Sequence, residues 1–260
     1  MPLRTLCHLI IAVLSGLPVH ARAQEAAPAT DTVQEQAPAT VRVTAARKLG
    51  EVNYRFAYPL QQKLRSYQPP PPRLLEVWYR GIFPGMSEPE RDAYVTEGWT
   101  VSVLSESVDV AIPTRRGGYF QLPDLPAAYE EHGVVLFREP NRRRSIEVEF
   151  VLPVDPARPM RYASLGQAVA EMRTVQSNIP FYSLSLRLIK HAHYDGIKAC
   201  FLDSGGAIRV NGQPLADATV GNCKVLKIDP ARAKSDDPVE FAGPLDIVTM
   251  VTMRDYPPPK

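Results

Sequence analysis

The stretch from Cys200 to Cys223 constrains the fold of this chain more than any other. It contains two turn signals, Gly205-Gly206 and Asn211-Gly212, and apolar residues at strand spacing lie beside each of them. An Asn-Gly pair supplies the positive φ angles that a tight hairpin turn requires. The pattern therefore predicts three short strands separated by turns, over Ile197–Leu202, Ala207–Val210 and Cys223–Ile228.

The cysteine count predicts that the first and last of these strands are joined covalently. The chain has three cysteines, and only Cys200 and Cys223 lie outside its first few residues. Cys7 falls in a predicted export signal, so the exported chain keeps one pair in a compartment where disulfides persist. We predict a disulfide between Cys200 and Cys223.

Residues 1–23 have the pattern of a signal peptide. Arg4 gives a basic start, Leu9 to Leu14 is uninterrupted apolar sequence, and Ala21-Arg22-Ala23 is a small-x-small cleavage pattern. The apolar run is too short to span a bilayer, and no later stretch approaches the length of a transmembrane helix. We expect a periplasmic or secreted protein that begins at Gln24 and does not span the membrane.

Removal of the signal changes the charge balance. Lysine plus arginine falls from 30 to 28 because Arg4 and Arg22 are lost, and aspartate plus glutamate stays at 28. A formally neutral chain lacks the basic excess typical of proteins that bind nucleic acid, so we expect no nucleic-acid partner. Only His132, His191 and His193 remain for acid–base or metal chemistry.

Composition divides the rest of the chain into three parts. Residues 24–50 are rich in Ala, Pro, Thr, Glu and Gln near their start, which is typical of a disordered linker. Three prolines between Pro153 and Pro159 indicate a boundary. We predict a β-rich lobe over residues 51–155 and an α+β lobe with the disulfide hairpin over residues 160–256.

The predicted fold class is α+β and strand-dominated, with antiparallel β-rich lobes, one clear amphipathic helix and short helical segments. The helix covers about residues 164–177, where an apolar stripe repeats at helical spacing and Glu171 points away from it. Ser164 and Gln167 form a capping-box pattern at its start. The stripe consists of Leu165, Ala168, Val169, Met172 and Val175.

Alternating patterns predict further strands on both sides of the Pro153 boundary. Ile146 to Leu152 alternates apolar residues with Glu147 and Glu149, so we expect a strand with one mostly wet face. Tyr182 to Leu188 also alternates and is predicted to be a strand.

The segment Val41-Arg-Val-Thr-Ala-Ala-Arg47 resembles a Val-rich segment near the mature N-terminus of TonB-dependent outer-membrane receptors. The resemblance covers about seven residues and implies pairing, as an added strand, with an energy-coupling partner. An ordinary first strand or a linker is the alternative, because any exposed strand edge has a similar pattern.

The segment Cys200-Phe-Leu-Asp-Ser204-Gly-Gly-Ala resembles the neighbourhood of the nucleophile in chymotrypsin-like serine proteases. The resemblance implies Ser204 as nucleophile and Asp109, in Val-Asp-Val-Ala-Ile, as the buried acid. Arg47 stands where that family has its histidine, and Leu202 where it has an oxyanion glycine. The alternative is an ordinary turn, for which Asp-Ser-Gly-Gly is suitable.

His191 and His193 would lie on one face of an extended segment, and Asp195 follows, so the three residues form a possible metal corner. The alternative is a set of surface residues before the Asp195-Gly196 turn.

From these patterns we assign no catalytic, cofactor-binding or metal-binding residue and expect no cofactor. The one assigned feature is the disulfide between Cys200 and Cys223. The expected role is non-enzymatic binding or scaffolding in the bacterial envelope, with an envelope protein or a ligand as partner. The alternative is a secreted serine hydrolase built around Ser204, inactive because of Arg47 and Leu202.

Overall fold

The computed structural model describes residues 51–82, 85–95, 100–138, 145–155, 158 and 160–256. The predicted signal peptide, the predicted linker and the segment Val41–Arg47 lie outside these residues.

Five α-helices occur in the described ranges. No helix there combines the length and apolar character that crossing a membrane requires. In chain order they are α1 (Tyr54–Tyr67), α2 (Glu88–Ala93), α3 (Pro126–Glu130), α4 (Tyr162–Asn178) and α5 (Arg187–His191).

The strands are short and pair antiparallel throughout. The strands before α4 are β1 (Glu51–Asn53), β2 (Glu76–Ile82), β3 (Thr100–Leu104), β4 (Asp109–Ile112), β5 (Tyr119–Phe120), β6 (Val134–Arg138), β7 (Ser145–Val151) and β8 (Met160–Arg161). Those after it are β9 (Gly196–Phe201), β10 (Ala207–Val210), β11 (Gln213–Pro214), β12 (Ala218–Val220), β13 (Cys223–Lys227), β14 (Pro238–Ala242) and β15 (Leu245–Val251).

The strands form three sheets. A seven-stranded sheet has the order β12-β13-β9-β15-β7-β2-β5, and two four-stranded sheets have the orders β1-β6-β3-β4 and β11-β10-β14-β8. The seven-stranded sheet therefore takes strands from both sides of the proline-rich segment 153–159. Three antiparallel sheets with few helices confirm the predicted strand-dominated α+β class.

One face of the seven-stranded sheet packs against α1 and α4. Leu64 of α1 and Met172 of α4 are buried in one cluster with Val77, Phe150 and Ile197 of the sheet. Side chains alternate between the two faces of a strand, so Trp78, Glu149 and Lys198 lie on the opposite face.

The predicted disulfide is present and connects neighbouring strands. Cys200 on β9 and Cys223 on β13 are directly opposite each other, and their Cα atoms are 3.9 Å apart. The Asn211-Gly212 turn is also confirmed, with φ angles of 53° and 74°. The intervening strand β10 belongs to a different sheet, where it pairs with β11 and β14.

The prediction of a strand over Tyr182–Leu188 is wrong. The segment forms a 3₁₀ turn over Leu184–Leu186, which leads into α5. Leu186 and Ile189, three residues apart, are the buried residues, whereas Tyr182 and Leu184 are exposed. The buried residues therefore follow helical spacing, and the alternation of apolar residues in the sequence does not reflect burial on one face of a strand.

Helix α4 confirms the predicted amphipathic helix, but its start and one of its faces differ. It begins at Tyr162, where the carbonyls of Asp237 and Ser235 accept hydrogen bonds from the first backbone amides, so Ser164 does not cap it. Glu171 does not face solvent. Its residue is 5% exposed, and its carboxylate accepts hydrogen bonds from the Gln68 side chain and the Leu74 amide.

The disulfide yields a stability prediction. Closing a loop of 23 residues' separation contributes about 3 kcal/mol in the chain-entropy model, so replacing Cys200 and Cys223 together by alanine should lower the melting temperature by several degrees. Circular dichroism should show unchanged strand content. Thiol titration of the unreduced, denatured native protein should find no free sulfhydryl, and two reactive thiols per chain would refute the pairing.

Candidate functional site

The structure places the residues singled out for hydrolase chemistry in separate parts of the fold. Ser204 is exposed in the turn after β9, where Asp203 accepts a hydrogen bond from the Gly205 amide at 2.9 Å. Asp109 is exposed on β4, in a different sheet. Among the described residues no hydrogen bond joins Ser204 to a histidine, and His132 instead contacts Arg55.

The three residues of the possible metal corner do not form one ligand group in the described structure. His191 is the last residue of α5 and His193 follows two residues later; both are exposed, and the His193 imidazole is 3.9 Å from the Asp195 carboxylate. The Asp195 carboxylate also accepts a hydrogen bond from the Met253 amide. In the described ranges, the group of three potential ligand side chains that lie within reach of one another is Asp92, Cys200 and Cys223, and both sulfurs are in the disulfide.

The most concentrated chemistry lies on the sheet face opposite α1 and α4. Seven ionisable side chains meet there beneath α2, and we call them the charged cluster. They are Arg80, Glu88, Arg91, Asp92, Glu147, Glu149 and Lys198.

Helix α2 brings three of these side chains over the sheet. A capping box between Ser87 and Glu90 fixes its start, because the Glu90 carboxylate accepts a hydrogen bond from the Ser87 amide at 2.7 Å. Glu88, Arg91 and Asp92 then lie within one helical turn, since residues three and four apart share a face.

The Asp92 carboxylate is the centre of the cluster. It is 4% exposed and accepts a hydrogen bond from an Arg80 Nη at 2.7 Å. Lys198 Nζ donates to both of its oxygens at 2.9 and 3.0 Å. Arg80 lies on β2 and Lys198 on β9, so this single carboxylate connects two separate strands to α2.

A second layer of ion pairs surrounds Asp92. The Glu88 carboxylate forms salt bridges with the guanidinium groups of Arg80 and Arg91, with nitrogen–oxygen distances of 3.1 and 2.6 Å. Arg91 forms a second salt bridge with the Glu147 carboxylate on β7, at 2.8 Å. Burial acts to raise the pKa of Glu88, but the nearby charges of Lys198, Arg80 and Arg91 outweigh it and lower that pKa to about 2.

Glu149 has the opposite shift. Burial of its carboxyl raises its pKa to about 7, helped by the negative charge of Glu147 and opposed by the charge of Arg80. The cluster contains three cations and four carboxylates, so a neutral Glu149 would balance its charge. The expectation that Glu147 and Glu149 form a wet strand face is wrong, since both residues are only partly exposed.

Aromatic and sulfur groups complete this face. The Arg80 guanidinium lies 4.7 Å from the centre of the Tyr119 ring, and Tyr119 packs with Cys200 and Cys223 in one buried cluster. The Tyr119 hydroxyl has no hydrogen-bond partner among the described residues. Burial raises its pKa well above the usual range, so this hydroxyl keeps its proton.

The charged cluster is suited to holding the fold together, with one group able to exchange a proton near neutral pH. Arg80, Asp92 and Lys198 are each at most 4% exposed, which denies a substrate access to them. Sequence reasoning missed these three residues. The available signal was the sequence Ser-Glu-Pro-Glu at 87–90, which is typical of a helix start, but nothing local indicates what α2 covers.

A second surface with functional potential is a turn between α4 and α5, residues 180–184, which we call the apolar turn. The Ser183 amide donates to the Pro180 carbonyl at 3.0 Å, so Phe181 and Tyr182 occupy the central positions of the turn. Phe181, Tyr182 and Leu184 are 87%, 72% and 79% exposed. Few monomeric proteins leave such adjacent apolar side chains open without a use for them.

Comparisons of this chain with protein-family models, with curated proteins and with solved structures found no match.

Asp92 yields a test of the cluster. Asp92→Asn leaves Lys198 and Arg80 buried without their central counter-charge, which should cost about 3 kcal/mol in the free energy of unfolding measured with urea. Asp109→Asn, at an exposed position on β4, is the matched control and should change stability by less than about 0.5 kcal/mol. Equal effects of the two substitutions would contradict the central role of Asp92.

Glu149 yields a prediction of pH dependence. Its pKa is raised on folding from 4.5 to about 7, so the folded chain binds more protons than the unfolded chain between these values. The contribution of this group to stability therefore falls as pH rises through that window. A Gln at position 149 does not titrate, so the stability of Glu149→Gln relative to the native protein should increase with pH. We expect an increase of about 2 kcal/mol between about pH 5 and pH 8, which is less than the full pKa shift implies because Glu149 keeps some solvent contact.

Urea unfolding at both pH values measures this effect. Glu240→Gln is the control, because Glu240 lies on β14 with its side chain 62% exposed. It should show no such growth. A Glu149→Gln variant whose advantage stays constant or shrinks with pH would refute the raised pKa.

Proposed function

We propose that this protein is an exported, non-enzymatic component of the bacterial envelope that acts by binding a partner. The observation that carries the proposal is the apolar turn, which presents Phe181, Tyr182 and Leu184 to solvent. Export is proposed from the basic start, apolar run and cleavage pattern of residues 1–23.

The support for binding is that the apolar turn is open but firmly attached. Ile179, just before it, is 1% exposed, and the Lys190 ammonium donates to the carbonyls of Gln176 and Ile179. The Asn178 side chain donates to the Tyr67 carbonyl of α1 at 2.9 Å. A surface that is already ordered loses little conformational entropy when it binds a partner.

A non-enzymatic role is supported by the surroundings of the two candidate catalytic sites, the charged cluster and Ser204. At the centre of the charged cluster, Arg80 and Lys198 are paired with Asp92, and all three residues are at most 4% exposed, which keeps them from a substrate. Ser204 lies in an exposed turn, in a different sheet region from Asp109, and no histidine hydrogen-bonds to it within the described part of the chain. A nucleophile without a base and an orienting group is not activated.

Photo-crosslinking in the living cell tests the binding role. A benzophenone amino acid at position 182 should form adducts, with lipid or with protein, at several times the yield of the same amino acid at position 129. Tyr129 on α3 is the matched control because it is also a partly open tyrosine, 38% exposed.

Equal adduct yields at the two positions, or none at either, would contradict the proposed role. The hydrolase alternative has its own readout. Labelling of the purified protein by a fluorophosphonate probe, abolished by Ser204→Ala, would replace the proposal with the serine-hydrolase alternative.

A further inference from the structure

We propose that the apolar turn and the basic residues around it dock the protein onto the surface of a bilayer that contains anionic phospholipids. This inference rests on the proposed binding function and names the partner that the surface fits.

The shape of the apolar turn favours a fluid apolar phase over a folded partner. Phe181 and Tyr182 stand at the corner of a four-residue turn, with their ring centres 5.4 Å apart and their planes at 82°. Leu184 follows on the same short segment and is 79% exposed. The result is a convex apolar tip, whereas recognition of an apolar peptide requires a groove. Aromatic side chains with a polar end, such as tyrosine, are enriched at the level of lipid headgroups.

The chain segment that carries the tip has charges of one sign. From Met172 to Tyr194 the sequence contains no aspartate or glutamate, and it carries Arg173, Arg187 and Lys190 together with two histidines. Arg173 and Arg187 are exposed. Basic side chains beside an apolar tip can reach lipid phosphates while the tip enters the acyl boundary.

A neighbouring segment extends this basic surface. The C-terminal end of α1 lies beside that of α4, because Asn178 hydrogen-bonds to Tyr67. From Tyr58 to Leu75 the sequence again contains no acidic residue, while Lys63 and Arg73 are exposed there.

Two carboxylates at this end of the described fold differ in exposure: Glu76, which follows Leu75, is exposed, whereas Glu171 is withdrawn from solvent. Glu171 on α4 is 5% exposed and accepts hydrogen bonds from the Gln68 side chain and the Leu74 and Leu75 amides. Four exposed basic side chains, Lys63, Arg73, Arg173 and Arg187, outnumber the exposed Glu76, so the net charge presented to solvent here is positive and complements a layer of phosphate headgroups.

Vesicle flotation tests the inference with the protein purified as its producing cell processes it. The probes are phosphatidylcholine vesicles with and without phosphatidylglycerol. The native protein should float with the anionic vesicles, and the binding should weaken as salt is raised. The tip variant Phe181→Ser/Tyr182→Ser/Leu184→Ser should bind them at least about tenfold more weakly.

Two further variants separate the parts of the surface. Arg173→Glu/Arg187→Glu should weaken binding by about tenfold and flatten its salt dependence. The matched control Phe56→Ser/Tyr129→Ser/Leu202→Ser replaces the same three residue types, which are 44%, 38% and 51% exposed elsewhere, and should bind within about twofold of native. Circular dichroism confirms that each variant is folded.

The result that overturns the inference is no flotation of the native protein, or equal flotation of the native and tip-variant proteins. The two experiments distinguish loss of the bilayer inference from loss of the proposed binding function. Protein adducts at position 182 in the cell without vesicle binding would overturn the bilayer while retaining a binding role, and absence of both adducts and flotation would overturn both.

Discussion

The Asp92 carboxylate accepts hydrogen bonds from Arg80 on β2 and Lys198 on β9, and α2 holds it in place above the sheet. A buried ion pair contributes modestly to stability, because desolvation offsets much of the attraction between the charges. Removing one member is costly, however, because a charge is then left buried and unpaired. The cluster therefore specifies where α2 lies and how strands from both sides of residues 153–159 meet.

The two faces of the seven-stranded sheet are held by different forces. On one face, α1 and α4 bury apolar residues such as Leu64, Met172 and Phe150, so area removed from water stabilises the contact. On the other face, the charged cluster and the Cys200–Cys223 disulfide hold α2 and the sheet edge. The apolar turn lies outside both regions, between α4 and α5, so it can be altered without disturbing either.

Local patterns predicted the elements well and their environments poorly. The Asn211-Gly212 turn, strands β9, β10 and β13, and the stripe of α4 follow from turn chemistry and spacing, which act over a few residues. Burial of Glu171 depends on segments 96 or more residues away, and the raised pKa of Glu149 depends on its surroundings in the folded chain. A local sequence window contains neither. The wrong prediction of a strand over Tyr182–Leu188 has the same cause, because a local pattern does not show which apolar residues the rest of the fold buries. In the structure Leu186 is buried, whereas Tyr182 and Leu184 are exposed.

The central claim is that Asp92 and Lys198 act as one unit across the fold, and a double-mutant cycle tests it most directly. Asp92→Asn, Lys198→Met and the double variant are compared by urea unfolding. The account predicts that the double variant loses less stability than the sum of the single losses, with a coupling of about 2 kcal/mol. Additive losses, within about 0.5 kcal/mol, would contradict it, because two residues that do not depend on each other show no coupling.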